Sequence, residues 1–295
     1  MQAQESRQWQ NPSPKASRLM LVTAVMAFGT VGLFVRAIPL PSSEIALFRA
    51  LIAFLFLSLF LGATGRFAQL KQQRRQLKRF AVTGAVMAVN WMLLFEAYRH
   101  ATIALATLVY YAAPTFMVLA SVLLLKERLS PWQSFCFIMS TLGLVLLLGA
   151  SGTAGGSMQG VLLALASAVL YAVVVMSNKA AGQVDGILRT YVQFGAAVLL
   201  MVPYVLLTGG FHLHQLDLRG SLSLLILGLF HTGFCYCLYF LAIVRLRGQQ
   251  VAIMSYIDPL VAVLLSVLLL GEAISPWQLA GGAIMAVFAL LNERT

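Results

Sequence analysis

Apolar residues along this chain neither alternate nor mark one face of a helix. They run on in blocks about twenty residues long, parted by short polar segments. A helix rising 1.5 Å per residue needs about 20 apolar residues to cross a hydrocarbon core. Such blocks cover 18–38, 43–62, 79–98, 102–125, 131–149, 159–179, 187–208, 221–242, 248–270 and 276–292. The pattern predicts an all-α integral membrane protein with ten transmembrane helices, the fifth and tenth short enough to need a thin bilayer or tight packing. Residues 1–17 are polar and predict a disordered cytoplasmic tail. The block after them is full length and lacks a small-residue cleavage site, so it is expected to remain as a helix.

One segment occurs twice. SVLLLKERLSPWQ at 121–133 and SVLLLGEAISPWQ at 266–278 match at ten of thirteen positions, 145 residues apart. Five blocks fall in each half, 18–149 and 159–292, joined by the linker 150–158. Five is odd, so the halves are expected to have opposite orientation, with the linker external. Inverted repeats are characteristic of secondary transporters that bind substrate near the midplane. Within each copy Ser and Gln three residues apart predict a capping box, Pro suits the first helical position, and Trp suits the membrane interface. Glu127 and Glu272 can cap neighbouring backbone or pair with a basic side chain.

Composition agrees: 60% of residues are apolar, 10% are charged, and the mean hydropathy is +0.88. The 20 Lys and Arg against 9 Asp and Glu would suggest nucleic acid in a soluble protein. Here the excess sits in short loops, so it sets topology instead. With both termini cytoplasmic, sixteen of the basic residues fall inside and Arg36, Arg99 and Arg219 outside, while Arg49 lies within a span. Lys126 and Arg128 of the first repeat copy would be cytoplasmic, and their external counterparts are Gly271 and Ala273.

Two five-helix halves, each with a late proline-containing helix, an LLxExxSPxQ segment and a last span rich in small residues, resemble the EamA family of the drug/metabolite transporter superfamily. The resemblance rests on YYAAPTFMVLASVLLLKERLSPWQ, on SYIDPLVAVLLSVLLLGEAISPWQ and on SSEIALFRA at 42–50, whose Arg49 matches the family's usual arginine early in the second helix. It implies a ten-helix bacterial inner-membrane transporter that exports amino acids or other small metabolites, with a cavity lined mainly by helices 1, 3, 4, 6, 8 and 9.

Polar groups inside a span are costly and therefore mark function. Asn90, Trp91, His231 and Asp258 fall near mid-depth, with Tyr110 and Tyr111 close by; these six are the expected substrate-binding residues. Each has a structural alternative: helix–helix hydrogen bonding for Asn90 and His231, packing for the aromatics. Asp258 can bind substrate, exchange a proton or bond a neighbouring helix. The missing amide of Pro259 is expected to free the Ser255 carbonyl beside it. Its repeat counterpart is Ala113, so symmetry is broken there. Pro114 and Pro259, each about mid-span, are expected to kink their helices and act as paired gates. Arg36, Glu44, Arg49, Glu96 and Arg99 gather near the external ends of the first four helices, as an ion-pair network or an outer gate, with Arg49 and Glu96 the deepest pair.

Other chemistry is weakly signalled. Cys136, Cys235 and Cys237 fall in spans, and His212 and His214 lack further ligands, so no metal or cofactor is expected. The glycines of 149–160 are not followed by the Lys-Ser/Thr of a phosphate loop. No polar segment has room for a nucleotide-binding domain, so a gradient, of protons among others, or the substrate's own is the expected energy source. An enzyme would need a nucleophile with its base or a ligand set such as His-x-x-x-His, and a channel would need charge rings or filter loops. A small-molecule substrate with an ammonium for Asp258 and apolar bulk for Trp91 and Tyr111 suits an amino acid; an organic cation, a quaternary amine or a drug suits the same set.

Overall fold

The computed structural model describes residues 13–72, 74–113, 115–117, 119–120, 130–149, 157–181, 185–243, 245–246, 251, 254–255, 257–272 and 274–292. Pro114, Lys126, Glu127 and Arg128 lie outside the described residues. Regular structure is helical throughout the described residues: α1 (Pro14–Phe28), α2 (Val31–Arg36), α3 (Ser42–Ala63), α4 (Arg74–His100), α5 (Ile103–Tyr110), α6 (Pro131–Gly149), α7 (Met158–Ala180), α8 (Gly186–Leu207) and α9 (Leu218–Ile226). A π-helical segment, Leu227–Phe234, runs on into α10 (Cys235–Ile243), and α11 (Ile257–Leu270) and α12 (Pro276–Asn292) follow.

Among the described residues, six helical stretches are long and apolar enough to cross a membrane: Pro14–Arg36, Ser42–Ala63, Gln76–His100, Met158–Asn178, Gly186–Leu207 and Leu218–Ile243. Large apolar side chains such as Leu59, Leu199, Leu207 and Leu264 point out of the bundle. In water that surface would be a liability; against lipid it is the expected exterior.

The helix ends follow from short-range chemistry. Ser13 accepts from the Ala16 amide at 3.2 Å with Pro14 next in line, so the first helix begins four residues before the apolar block does. Both expected capping boxes form. Ser130 N donates to Gln133 Oε1 at 2.8 Å and Gln133 N to Ser130 Oγ at 3.2 Å; the Ser275–Gln278 pair repeats this at 3.0 and 3.2 Å. At the far end of α11, Gly271 has φ +63°, and its amide bonds Val267 O at 3.2 Å, the 5→1 bond of an αL cap, with Glu272 N on Ser266 O at 3.2 Å. Gly271 is therefore required by backbone conformation as well as suited by charge.

Packing joins elements far apart in sequence. Helix α6 lies along α12, α4 against α7 and α8, α3 against α8 and the π segment, α1 against α10 and α11, and α5 against α7 and α11.

Two spans depart from the continuous helices that hydropathy predicts. The first is interrupted at Gly29–Thr30 between α1 and α2, and the eighth carries the π segment. Hydropathy averaged over a span passes over both because a few Gly, Thr and His residues are outweighed by the apolar residues around them. The third departure concerns Pro259. It stands at the third position of α11 rather than in mid-helix, where a proline costs no intrahelical bond. The Asp258 amide donates to Ser255 O at 3.3 Å, so that carbonyl is engaged, not freed.

Candidate functional site

The start of α11 places Asp258 in the first helical turn, where the positive end of the helix dipole favours a carboxylate. Tyr111 forms a side-chain hydrogen bond with Asp258, and the hydroxyls of Tyr98, Tyr110, Tyr236 and Tyr239 lie within its field. No basic side chain lies within salt-bridge distance of Asp258 among the described residues. The approach is close because Gly29, at the break in the first span, has no side chain. A Cβ there would stand 2.6 Å from the Asp258 carbonyl oxygen and 2.7 Å from Val261 Cβ.

The tyrosines form a connected set. The rings of Tyr110 and Tyr171 are 5.3 Å apart and those of Tyr110 and Tyr111 5.9 Å. The Tyr171 hydroxyl donates to that of Tyr239 at 2.9 Å. Trp91 Nε1 donates to the Tyr236 hydroxyl at 2.8 Å, and Phe28 packs on Tyr236 and Tyr239 at 4.9 and 5.9 Å. Tyr110, Tyr171 and Asp258 are half-buried, while Trp91, Tyr111, Tyr236 and Tyr239 are buried.

Of the six expected site residues, the structure brings Trp91, Tyr110, Tyr111 and Asp258 together. Asn90 touches this group through a side-chain bond to Tyr110, but its amide is mainly spent between helices: Nδ2 donates to Ser167 O and Oγ at 2.7 and 2.8 Å, and Ser167 Oγ donates to Asn90 O at 2.9 Å. His231 lies on the π segment, 2.7 Å from Thr30 Oγ1 and 3.3 Å from Ile226 O, with the Phe34 ring tilted against its own, centres 4.9 Å apart.

Arg49 sits beside this group without the expected partner. It is 2% exposed; its Nε donates to Thr232 Oγ1 at 2.8 Å, and its guanidinium carbon stands 4.4 Å from the Trp91 ring centre and 5.2 Å from that of Phe95. Glu96 instead meets His100 one turn on, at 3.2 Å. The remaining members of the expected outer network also disperse. Glu44 accepts from His212 N at 2.8 Å and meets its Nδ1 at 2.5 Å, and Arg99 reaches Leu40 O at 3.4 Å. Arg36 pairs with Glu272 at 2.6 Å, and the same carboxylate accepts from the Ile103 and Ala104 amides at 3.3 Å each. Glu272 thus both caps α5 and pairs with a basic side chain. The three cysteines are free and buried, and no group of three potential metal ligands occurs among the described residues.

Sequence reasoning passed over Thr30, Tyr98, Tyr171, Thr232, Tyr236 and Tyr239. The available signal was the one that selected Asn90: a hydrogen-bonding side chain inside an apolar run.

An all-helical membrane bundle whose interior holds a carboxylate, a guanidinium and a set of tyrosines is the construction of a solute carrier. The chain belongs to the EamA-like transporter family, whose pattern it matches twice, over residues 16–149 and 158–293. It is 26% identical over 274 residues to the uncharacterized transporter YxxF of Bacillus subtilis, an alignment covering 92% of this chain and 86% of that one. Human solute carrier family 35 member G1 is 27% identical over 293 residues, covering 94% of this chain and 78% of its own. A solved crystal structure superposes with a TM-score of 0.70 over 96% of this chain and 99% of that one at 22% identity, a likeness of fold.

Proposed function

We propose that this multi-pass transporter exports small metabolites bearing an ammonium group, amino acids among them, from the cytoplasm across the bacterial inner membrane. The observation that carries the reading is Asp258: a half-buried carboxylate with no basic partner among the described residues, set in a ring of tyrosines. A substrate ammonium supplies the missing counter-charge and the aromatic faces take its apolar part. Tyrosines surrounding a carboxylate also favour a second reading, transport of organic cations or quaternary amines.

The architecture that goes with this function is ten spans in two inverted halves, both termini cytoplasmic. Its support is the double family match and the pattern of packing. Exchanging the five-span halves turns α4 on α7 into α10 on α1, α4 on α8 into the π segment on α3, and α5 on α7 into α11 on α1, all of which are contacts present. Pro259, in the first turn of α11, is the hinge we assign to one gate; Asp258 is the group we assign to proton exchange.

Thermal-shift screening of the purified protein in detergent against amines and amino acids tests the ligand class, since a ligand that binds the folded state raises its apparent stability. Flux in proteoliposomes tests the coupling. Asp258→Asn should abolish pH-driven transport and leave substrate exchange partly intact, whereas unchanged pH-driven flux removes Asp258 from the mechanism.

A further inference from the structure

Arg49 is the second charge at the centre of this protein, and it too lacks a counter-ion. No carboxylate lies within 4.0 Å of it among the described residues. A guanidinium taken out of water and left unpaired is costly, and inside a membrane bundle such a residue is retained for function or held by compensating contacts. Here the aromatic faces of Trp91, Phe95 and Tyr236 and the Thr232 hydroxyl hold it. Thr232 accepts from Nε and the Tyr236 hydroxyl also hydrogen-bonds the guanidinium, so its partners are neutral groups that fix its plane and leave its charge uncompensated, and a planar guanidinium is the group that matches a carboxylate.

Arg49 and Asp258 are not bonded to each other, yet the hydroxyls of Tyr98 and Tyr236 lie in the field of both. The two charges therefore share one aromatic environment. At the 145-residue offset of the repeated motif, the counterpart of Arg49 is Phe194 and that of Asp258 is Ala113. Phe194 occupies the equivalent place, its ring 5.8 Å from Trp91 and 5.7 Å from Tyr236. The cluster is thus built from matching positions of the two halves, and each half departs from the match with one charge, positive in the first and negative in the second.

We infer that Arg49 is the carboxylate-binding pole of the site, so that the substrate is a zwitterion whose ammonium meets Asp258 and whose carboxylate meets Arg49. This rests on the reading of Asp258 given above and narrows it from amines in general to amino acids and related zwitterions. A simple organic cation leaves Arg49 uncompensated and is selected against. At 2% exposure, Arg49 meets the carboxylate only when the surrounding helices part; in the conformation described, the aromatic rings stand in for the anion.

The test compares each of the twenty standard amino acids with its decarboxylated amine, by thermal shift and by counterflow in proteoliposomes. The wild-type protein should favour the amino acid by ~10-fold or more, the discrimination expected of one charged hydrogen-bonding partner. Arg49→Gln should lower amino-acid affinity to that of the amine without weakening the amine, and Arg49→Lys should restore part of the difference. A purely structural Arg49 would make Arg49→Gln weaken both compounds alike, which overturns the assignment. Should Arg49→Gln not fold, the wild-type comparison decides: equal affinity for an amino acid and its amine overturns the role of Arg49 and leaves that of Asp258 standing. If neither class binds, both assignments fall.

Discussion

Trp91 and Tyr236, which hydrogen-bond to each other at 2.8 Å, stand 145 residues apart (236 − 91), the offset at which the SVLLL…SPWQ segment recurs. The same offset separates Arg49 from Phe194 (194 − 49). Arg49 lies over Trp91 at 4.4 Å and Phe194 packs on Tyr236 at 5.7 Å. Trp91 and Tyr236 therefore meet directly, while Arg49 and Phe194 each pack on one member of that pair.

Tyr236 gives this cluster its acceptor. In Tyr236→Phe the buried Trp91 N–H loses its partner, which should lower stability by about 1 kcal/mol. Trp91→Phe should cost a similar amount from its polar contact, and the double variant should cost less than the sum because the two single changes remove one shared bond. Denaturation of the purified protein in detergent measures all three; strict additivity would show that the bond contributes nothing.

Thr30 and His231 join the two irregular spans. The Thr30 hydroxyl donates to Ala27 O at 2.8 Å, so its oxygen accepts from His231 Nε2, 2.7 Å away. Thr30→Val and His231→Gln should each cost about 1 kcal/mol and slow transport, with non-additive effects in the double variant. Transport at the wild-type rate in Thr30→Val would show that the break and the π segment work independently.

Glu272 ties Arg36 to the first amides of α5. Glu272→Gln keeps the volume and one acceptor but removes the charge, and should lower stability by about 1 kcal/mol. Arg36→Ala should cost less, because Arg36 is 37% exposed on its side chain while Glu272 is 6% exposed. A larger loss in Arg36→Ala would reverse this ranking.

Orientation is testable with single cysteines in a background free of the three native ones. Gln215 and Ala68 are both exposed; Gln215 ends the short 3-10 turn Leu213–Gln215 after α8, and Ala68 begins the short helix Ala68–Gln72 after α3. Cysteine at Gln215 should react with an impermeant reagent applied to intact cells, and cysteine at Ala68 should not. Labelling at Ala68 would overturn the assignment of cytoplasmic termini. Gly271 is unsuited to the purpose, since its φ of +63° strains any other residue.

Membrane character, the approximate position of the long spans, the capping boxes and the family were legible in the sequence, because each rests on local composition or spacing: twenty apolar residues, Ser and Gln three apart, a segment said twice. Trp91, Tyr110, Tyr111 and Asp258 could be selected for the same reason, as polar or aromatic residues at costly depth. Tertiary structure alone decided their partners. Glu96 turned to His100, one turn along its own helix, and Glu44 to His212, so the network expected from their common level did not form. Asn90 satisfied its amide on Ser167, and Arg49 found Thr232, 183 residues away. Burial makes an unpartnered polar group costly, but which partner it finds depends on how helices distant in sequence come to lie side by side, and no local pattern carries that information.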